Sequence, residues 1–289
     1  MRADGHQPVV QANQLDRMNQ HVASLICCPA CHGELRSDRG QLQCAACRVT
    51  YRIQNDVPLF IQEDVVAVSS DHVSNQIGAD FEELLRKGDG VILHIGAGAT
   101  PQKYPTCIEF EHKIFKHTDV VGDAHQLPFR DGSFDRVFAF NVFEHLREPE
   151  RAAAEVARVL KPGGAVAIHT AFLQAVHEEP AHFYNTTEYG LRRWFAGFEI
   201  EKLSVTPNFS PGIMLAYLMS SIVNVLRESG VAWREQAAVQ ETTLGEWADF
   251  WAGKTGPPDG FDTLQNLPQA AQKRIAAGFE LIGRKPIRK

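Results

Sequence analysis

No stretch of this 289-residue chain is apolar for long enough to suggest a membrane span. The longest, Ile213 to Leu226, is about 14 residues and is interrupted by Ser220, Ser221 and Asn224, where roughly 18 would be needed. An excess of positive charge is also lacking. With 29 Lys and Arg against 35 Asp and Glu, the net charge is −6, which argues against broad attraction to nucleic acid or anionic lipid. A small basic patch, Arg284 to Lys289, reads as a solvated tail. The first 24 residues hold neither an apolar run nor a small-residue cleavage pattern, so 1–24 reads as a flexible leader and the expected compartment is the cytoplasm. Hydrophobic residues at 44% and charged residues at 22% are ordinary for a soluble globular chain with a sizeable core.

Cysteine is scarce except in one place. Of six, four form two pairs, Cys28-Pro-Ala-Cys31 and Cys44-Ala-Ala-Cys47. Each C-x-x-C turn brings two thiolates to one metal, and two such turns complete a tetrahedral zinc site. Disulfides are the alternative, disfavoured without a secretion signal. Residues 25–61 are too few to bury a core, so a structural zinc would supply most of their folding energy. Four sulfurs close the site, which makes it structural. Cys27 is less well placed than Cys28, and Cys107 reads as a core residue. Strands are expected at Gln41–Gln43 and Val49–Ile53.

Beyond a polar linker at about 62–74 and a helical stretch from Gln76 to Arg86, short apolar runs alternate with helical segments, the signature of a parallel sheet covered on both faces. Strands are expected at Val91–Ile95, Thr106–Phe110, Asp119–Gly122, Asp135–Phe140 and Ala165–Thr170, with two more at Phe198–Val205 and Phe279–Arg284. Glu150–Leu160 is helical and is stopped by Lys161-Pro-Gly-Gly164. The fold class is therefore α/β: a doubly wound, mostly parallel, Rossmann-like sheet of seven strands. A zinc ribbon precedes it at 25–61, and a helical insertion at about 207–278 interrupts the domain spanning 76–289.

Five segments stand in register: Ile95-Gly-Ala-Gly98, Gly122-Asp-Ala-His-Gln-Leu-Pro-Phe129, Asp131-Gly-Ser-Phe-Asp135, Asn141-Val-Phe-Glu-His-Leu146 and Arg158-Val-Leu-Lys-Pro-Gly-Gly164. Over about residues 76 to 206 and the final strand, the chain resembles the class I S-adenosylmethionine-dependent methyltransferases. The N-terminal segment is similar to the zinc ribbon that precedes some ribosomal-RNA methyltransferases, down to the ending Tyr51 to Ile61. The resemblance implies S-adenosylmethionine as cofactor at the carboxyl edge of the sheet. Gly96 and Gly98 would let the backbone approach it. Glu111, or as second choice Glu109, would hold the ribose hydroxyls. Asp123 would accept from the adenine amino group with Ala124 and His125 beside it, and Asn141 would open the loop beneath the sulfonium. A dinucleotide fold is the competitor, but its third glycine position is Pro101 here.

Two features depart from the family. His94 stands where an acid usually ends the first strand, and the first two crossovers are too short for ordinary helices. Either the cofactor is bound in an altered way or this copy has lost it, which leaves a non-catalytic scaffold as the alternative to an enzyme. The loop Phe172–Thr187 carries His177 and His182, candidate general bases because a histidine there can take a proton near neutral pH. His145 is expected to buttress the fourth-strand loop. Helices are expected at Pro211–Glu228, Trp233–Trp251 and Leu264–Ala277, the first with a wide apolar face for a core, a lid, an acyl-chain pocket or a dimer interface, and Trp247, Phe250 and Trp251 packed on it. The acceptor is expected to be a small metabolite, glycan or lipid-linked molecule. RNA is less favoured, because four arginines face three acids in the ribbon.

Overall fold

The computed structural model describes residues 20–38, 40–69, 72 and 77–280. It divides into two units, one of 1–171 with 186–201 and one of 172–185 with 202–289.

In the first unit a helix α1 (Gln20–Leu25) leads into four antiparallel ribbon strands, β1 (Leu35–Asp38), β2 (Gln41–Cys44), β3 (Thr50–Gln54) and β4 (Val57–Leu59). There follow α2 (Ala79–Lys87), β5 (Ile92–Ile95), β6 (Cys107–Glu111), β7 (Val120–Val121), β8 (Phe134–Phe140), α3 (Pro149–Val159), β9 (Leu160–His169) and α4 (Glu188–Trp194). All nine strands join one sheet in the order β1-β2-β3-β4-β7-β6-β5-β8-β9. From β4 to β9 every pairing except the ribbon's own is parallel.

The ribbon and the larger domain, separate blocks in the sequence, are thus one sheet. Leu59 of β4 pairs with Val121 of β7, and Phe60 N–H donates to the Val121 carbonyl at 2.8 Å. A second seam runs beside it: Cys27 N–H to Pro128 O and Arg130 N–H to Leu25 O, both 2.9 Å. One core cluster unites Cys28, Leu42, Cys44, Tyr51 and Phe60 from the ribbon with Leu93, Ile95, Phe110, Phe129 and Val137 from the parallel strands. Fully buried β5 carries no polar alternation, as a strand covered on both faces should.

The two faces of the sheet are unequal. One is packed by α3 through Ala152, Ala153, Val156 and Val159, and by Trp194 and Phe195. The other has a smaller cluster of Leu85, Ile92, Tyr104, Cys107 and Phe138. No helix lies between β5 and β6 or between β6 and β7, as the prolines and short spacing led one to expect.

Several strand expectations need correction. Seven strands were expected, whereas five parallel strands of the domain are extended by four of the ribbon. Phe198–Val205 forms no strand, and β9 ends the sheet on that side. The last strand, Phe279–Arg284, falls from residue 281 onward outside the described residues, and Phe279 and Glu280 are not in a strand. Lys161-Pro-Gly-Gly164 stops α3 but does not form a loop. It opens β9 itself, with a register shift opposite Phe134 and Arg136. The two strands β1 and β4 were not foreseen as elements.

The second unit holds α5 (Pro211–Glu228), α6 (Trp233–Glu241), α7 (Leu244–Trp251), α8 (Phe261–Gln265) and α9 (Gln269–Ile275) around Val225, Leu226, Val239 and Leu267. The insertion is helical as expected, with each of its last two expected segments broken in two. The apolar face of α5 is buried only at Val225 and Leu226, while Ile213, Tyr217 and Met219 are exposed. Trp247 and Phe250 pack on Phe261, and Trp251 does not join them, being 89% exposed.

Candidate cofactor site and metal centre

The four paired cysteines converge. Their sulfurs all lie within 4.8 Å of one another, with Cys28 to Cys47 at 3.6 Å and Cys31 to Cys44 at 3.4 Å. A tetrahedron of sulfurs at 2.3 Å from zinc has edges of about 3.8 Å, so the set fits a zinc ion. The two knuckles repeat one geometry. His32 N–H donates to Cys28 O and Arg48 N–H to Cys44 O, and both His32 and Arg48 adopt left-handed backbone at φ 57° and 66°. Gly33 is required beside them, since a Cβ there would sit 3.0 Å from the Cys44 sulfur and 3.2 Å from that of Cys31. Burial opposes ionisation of Cys44, but the amides of Cys47 and Ala46 and the neighbouring thiols hold it down at about 6. Cys27, by contrast, is pushed up to about 11 by burial and stands outside the cluster.

At the carboxyl edge of the parallel strands, β5 ends in a turn whose Gly96 and Gly98 both have φ of 66°. A Cβ on Gly96 would meet Val142 Cγ2 at 2.4 Å, so the turn also needs glycine to fit the loop after β8. The Gly98 N–H donates to the carboxylate of Glu111 at the end of β6. Glu111 is 4% exposed, and burial raises its carboxyl to about 7. Glu109, two residues earlier, is raised to about 7 by the same cause but is occupied elsewhere: it accepts from Thr100 Oγ1 at 2.9 Å and lies 3.8 Å from Lys103 Nζ.

Past β7, Gly122 leads into a tight turn in which Asp123 Oδ1 accepts from His125 N–H at 2.9 Å and from the His125 ring at 2.5 Å. The His125 hydrogen bond holds the Asp123 carboxyl below its usual range. On the other side, Glu148 N–H donates to His125 Nε2 at 3.1 Å, which fixes the tautomer with the proton on Nδ1. Ala124 is buried. Asn141, at φ 56°, leaves β8 with its N–H bonded to His169 O at 3.0 Å. The 3-10 turn Phe143–His145 follows, where buried Glu144 accepts from Thr170 Oγ1 at 3.0 Å. Gly96, Gly98, Glu111, Asp123, Ala124 and Asn141 therefore all stand at or just past the carboxyl ends of β5 to β8.

His125 was noticed in the sequence only as a neighbour of Asp123, and its clamp on Glu148 depends on a contact 23 residues away. Arg158, which opens a motif segment, and Glu155, three residues before it, are structural. Arg158 donates to the carbonyls of Leu127 and Phe129 and to Glu155 and Asp131, and Glu155 accepts from Leu127 N–H. His94, in the acid's place, is buried against Phe138 and Phe140, with its Nδ1 unbonded among the described residues and its pKa lowered to about 4 by burial.

His177 and His182 belong to the second unit. Their ring centroids lie 4.1 Å apart with the planes tilted by 57°. His182 uses both nitrogens on backbone, Nδ1 accepting from His177 N–H at 3.2 Å and Nε2 facing Tyr184 O at 3.1 Å. His177 Nδ1 faces Ala175 O at 3.1 Å.

Residues 103–168 match the family model described as a methyltransferase domain, and residues 22–56 match the one described as Trm112p-like protein. The first match takes in Glu111, Asp123 and Asn141 and begins after the glycine turn. The chain is 34% identical over 110 residues to a phosphatidylethanolamine N-methyltransferase of Cereibacter sphaeroides, covering 33% of this chain and 52% of that protein. It is 32% identical over 128 residues to a demethylmenaquinone methyltransferase of Renibacterium salmoninarum, covering 44% of each. A chain in the structure of a complex of the Haloferax volcanii Trm112 methyltransferase activator aligns over 40% of this chain and 65% of that one, at 19% identity and a TM-score of 0.33. The chain spans about half the length of the first two relatives. It carries a class I S-adenosylmethionine-dependent methyltransferase domain fused to an N-terminal zinc ribbon of the Trm112-like kind.

Proposed function

We propose that this chain is a cytoplasmic enzyme that moves the methyl group of S-adenosylmethionine to a small-molecule, glycan or lipid-linked acceptor. The observation that carries the reading is the carboxyl-edge cluster, where the Gly96–Gly98 turn, buried Glu111 and the Asp123 turn stand on three successive strands. Burial raises the Glu111 carboxyl to about 7 although Gly98 N–H already donates to it, and a ribose diol would bring two further donors. Glu111 is assigned to the ribose because Glu109 is held by Thr100 and Lys103. Asp123 is half-exposed and its orientation is fixed by His125, which suits acceptance from an exocyclic amine. Gly96, Gly98, Ala124 and Asn141 provide backbone and small surfaces around it.

When bound, the cofactor supplies a sulfonium methyl for in-line displacement, a reaction in which positioning contributes much of the rate. A side-chain base is needed only for a protonated nucleophile. For that role we propose one of the two loop histidines, His177 or His182, in the segment that follows β9, and His177 is tested first. The names of the two relatives, one acting on phosphatidylethanolamine and one on demethylmenaquinone, support a lipid-linked or small acceptor over RNA. A partner protein is favoured less, since the ribbon is already paired to β7 within the chain.

A second reading, a scaffold without catalysis, is favoured by one observation: neither connection flanking β6 contains a helix, so the cofactor side of the sheet is thinly covered. Incubation of fractionated metabolites and lipids with labelled methyl donor separates the two. The enzyme reading expects a labelled product, and His177→Ala is expected to slow its formation by about 10²–10⁴-fold with cofactor affinity unchanged. No labelled product from any fraction, with the donor bound, leaves the scaffold.

A further inference from the structure

The loop that leaves β7 is tied to α3 at both ends. At its far end Arg158 donates to Leu127 O and Phe129 O at 2.8 and 2.7 Å, and Glu155 accepts from Leu127 N–H at 2.8 Å. At its near end the tie is a single side chain, His125, whose Nε2 accepts from the N–H of Glu148, the N-cap of α3. That N–H is one of the donors a helix start leaves without an internal partner. The other ring nitrogen, Nδ1, donates to Asp123 Oδ1 at 2.5 Å. A nearly buried ring, 9% exposed, thus joins a helix terminus to a carboxylate that is 47% exposed. The two bonds on Asp123 differ in what they require. That from His125 N–H closes an Asx turn, which any residue at 125 except proline would allow. The ring bond and the link to Glu148 need the histidine itself.

We infer that His125 is a positioning residue that sets the base selectivity of the cofactor site, by holding Asp123 in one orientation as a pure hydrogen-bond acceptor. The inference rests on reading the carboxyl edge as a site for S-adenosylmethionine and names what makes that site choose its base. An ionised carboxylate accepts and cannot donate. It suits adenine, which carries an amine at its 6-position, and opposes hypoxanthine, which carries an oxygen there. Discrimination of this kind is large only where the protein group is already in place, since the mismatched ligand then leaves it unpaired. A half-exposed carboxylate without a tether would turn to water and would have to be ordered again on binding. Here the ring has imposed that order before the ligand arrives. Both bonds within the loop fall on Oδ1, which leaves Oδ2 without a hydrogen bond among the described residues. The His125 hydrogen bond, with Arg147 adding to it, holds the Asp123 carboxyl below its usual range and so keeps it ionised near neutral pH. Because the anchor is the start of α3, which packs on the sheet through Ala152, Ala153 and Val156, the acceptor is referred to the core and not to its own loop.

Calorimetric titration of the full chain with S-adenosylhomocysteine and with S-inosylhomocysteine, in which oxygen replaces the 6-amino group, tests the assignment, with the melting temperature followed alongside. The parent should prefer the adenosine compound by about tenfold or more, the worth of one charge-assisted hydrogen bond. His125→Asn keeps a donor at the place of Nδ1 and lacks the acceptor for Glu148 N–H. It should retain the preference while its melting temperature falls by a few degrees. His125→Gln reaches toward Glu148 N–H but leaves Oδ1 only its backbone bond. It should melt near the parent while the preference shrinks toward parity. The two variants therefore separate the two ends of the ring, and a histidine that merely supports the fold would leave the ratio of the two affinities alone. A ratio unchanged in His125→Gln, a parent that binds both compounds equally, or affinities for both that fall in step with the melting temperature overturns the inference and leaves the cofactor site standing. Failure of the parent to bind either compound removes the cofactor reading and the inference with it.

Discussion

His94 shows how one residue alters a familiar strand. At the end of β5 it is buried among aromatic rings and held neutral, its pKa lowered from 6.5 to about 4 by desolvation. The folded state therefore binds fewer protons than the unfolded one between those values. Its contribution to stability is whole above pH 6.5 and is lost as pH falls toward 4, about 3 kcal/mol over the window. Glu109 and Glu111 act in the opposite sense, since their folded pKa values near 7 lie above the ordinary 4.5 and stability falls as pH rises between the two. The test is therefore differential. Denaturant titrations from pH 7.5 to 4.5 should show His94→Phe gaining on the parent as the medium acidifies. Parallel pH profiles would refute the assignment of a neutral buried ring. The substitution itself was plain in the sequence, but its consequence was not, because burial on both faces is a property of the assembled sheet.

At the scale of elements, the join between β4 and β7 matters most. Read by spacing alone, the ribbon is a self-contained metal module, because the knuckles Cys28-x-x-Cys31 and Cys44-x-x-Cys47 are local. The pairing of Leu59 with Val121 is 62 residues distant in sequence and leaves no local trace. Tyr51 links the centre to the seam, its hydroxyl 3.2 Å from the Cys28 sulfur and its ring 4.9 Å from Phe60. Phe60 then bonds β7 at Val121, directly before the Gly122–Asp123 turn. Removal of zinc by a strong chelator, or Cys44→Ser, should consequently lower the melting temperature of the ribbon and the parallel sheet together. Near-ultraviolet signals from Tyr51 and Trp194 should fall in one transition. A first transition confined to the ribbon, with the rest melting unchanged, would mean that the seam contributes little. The crossovers were legible for the opposite reason: two prolines and few residues between Ile95 and Cys107 forbid a helix locally.

For the molecule as a whole, the glycine turn, the acid at the end of β6 and Asp123 were all legible, since each follows a short buried strand whose end the sequence marks. The division into two units was not. The loop 172–185 leaves β9 yet groups with helices up to about ninety residues later, through contacts such as Val176 with Arg274. Among the described residues no helix is long and apolar enough to cross a membrane. The central claim is that S-adenosylmethionine occupies the carboxyl edge with Glu111 on its ribose, and calorimetric titration with the cofactor and with S-adenosylhomocysteine, at pH 8 and at pH 6, tests it most directly. Gly96→Val is a poor variant for this purpose, because Val142 already fills the space. Glu111→Gln is better. The ionised carboxylate accepts the ribose hydroxyls, so affinity should weaken as pH falls through about 7, and Glu111→Gln should lose roughly 10-fold or more at pH 8 and show little further dependence on pH. Binding that is absent in the parent, or that is unchanged by both the acid and Glu111→Gln, would contradict the account.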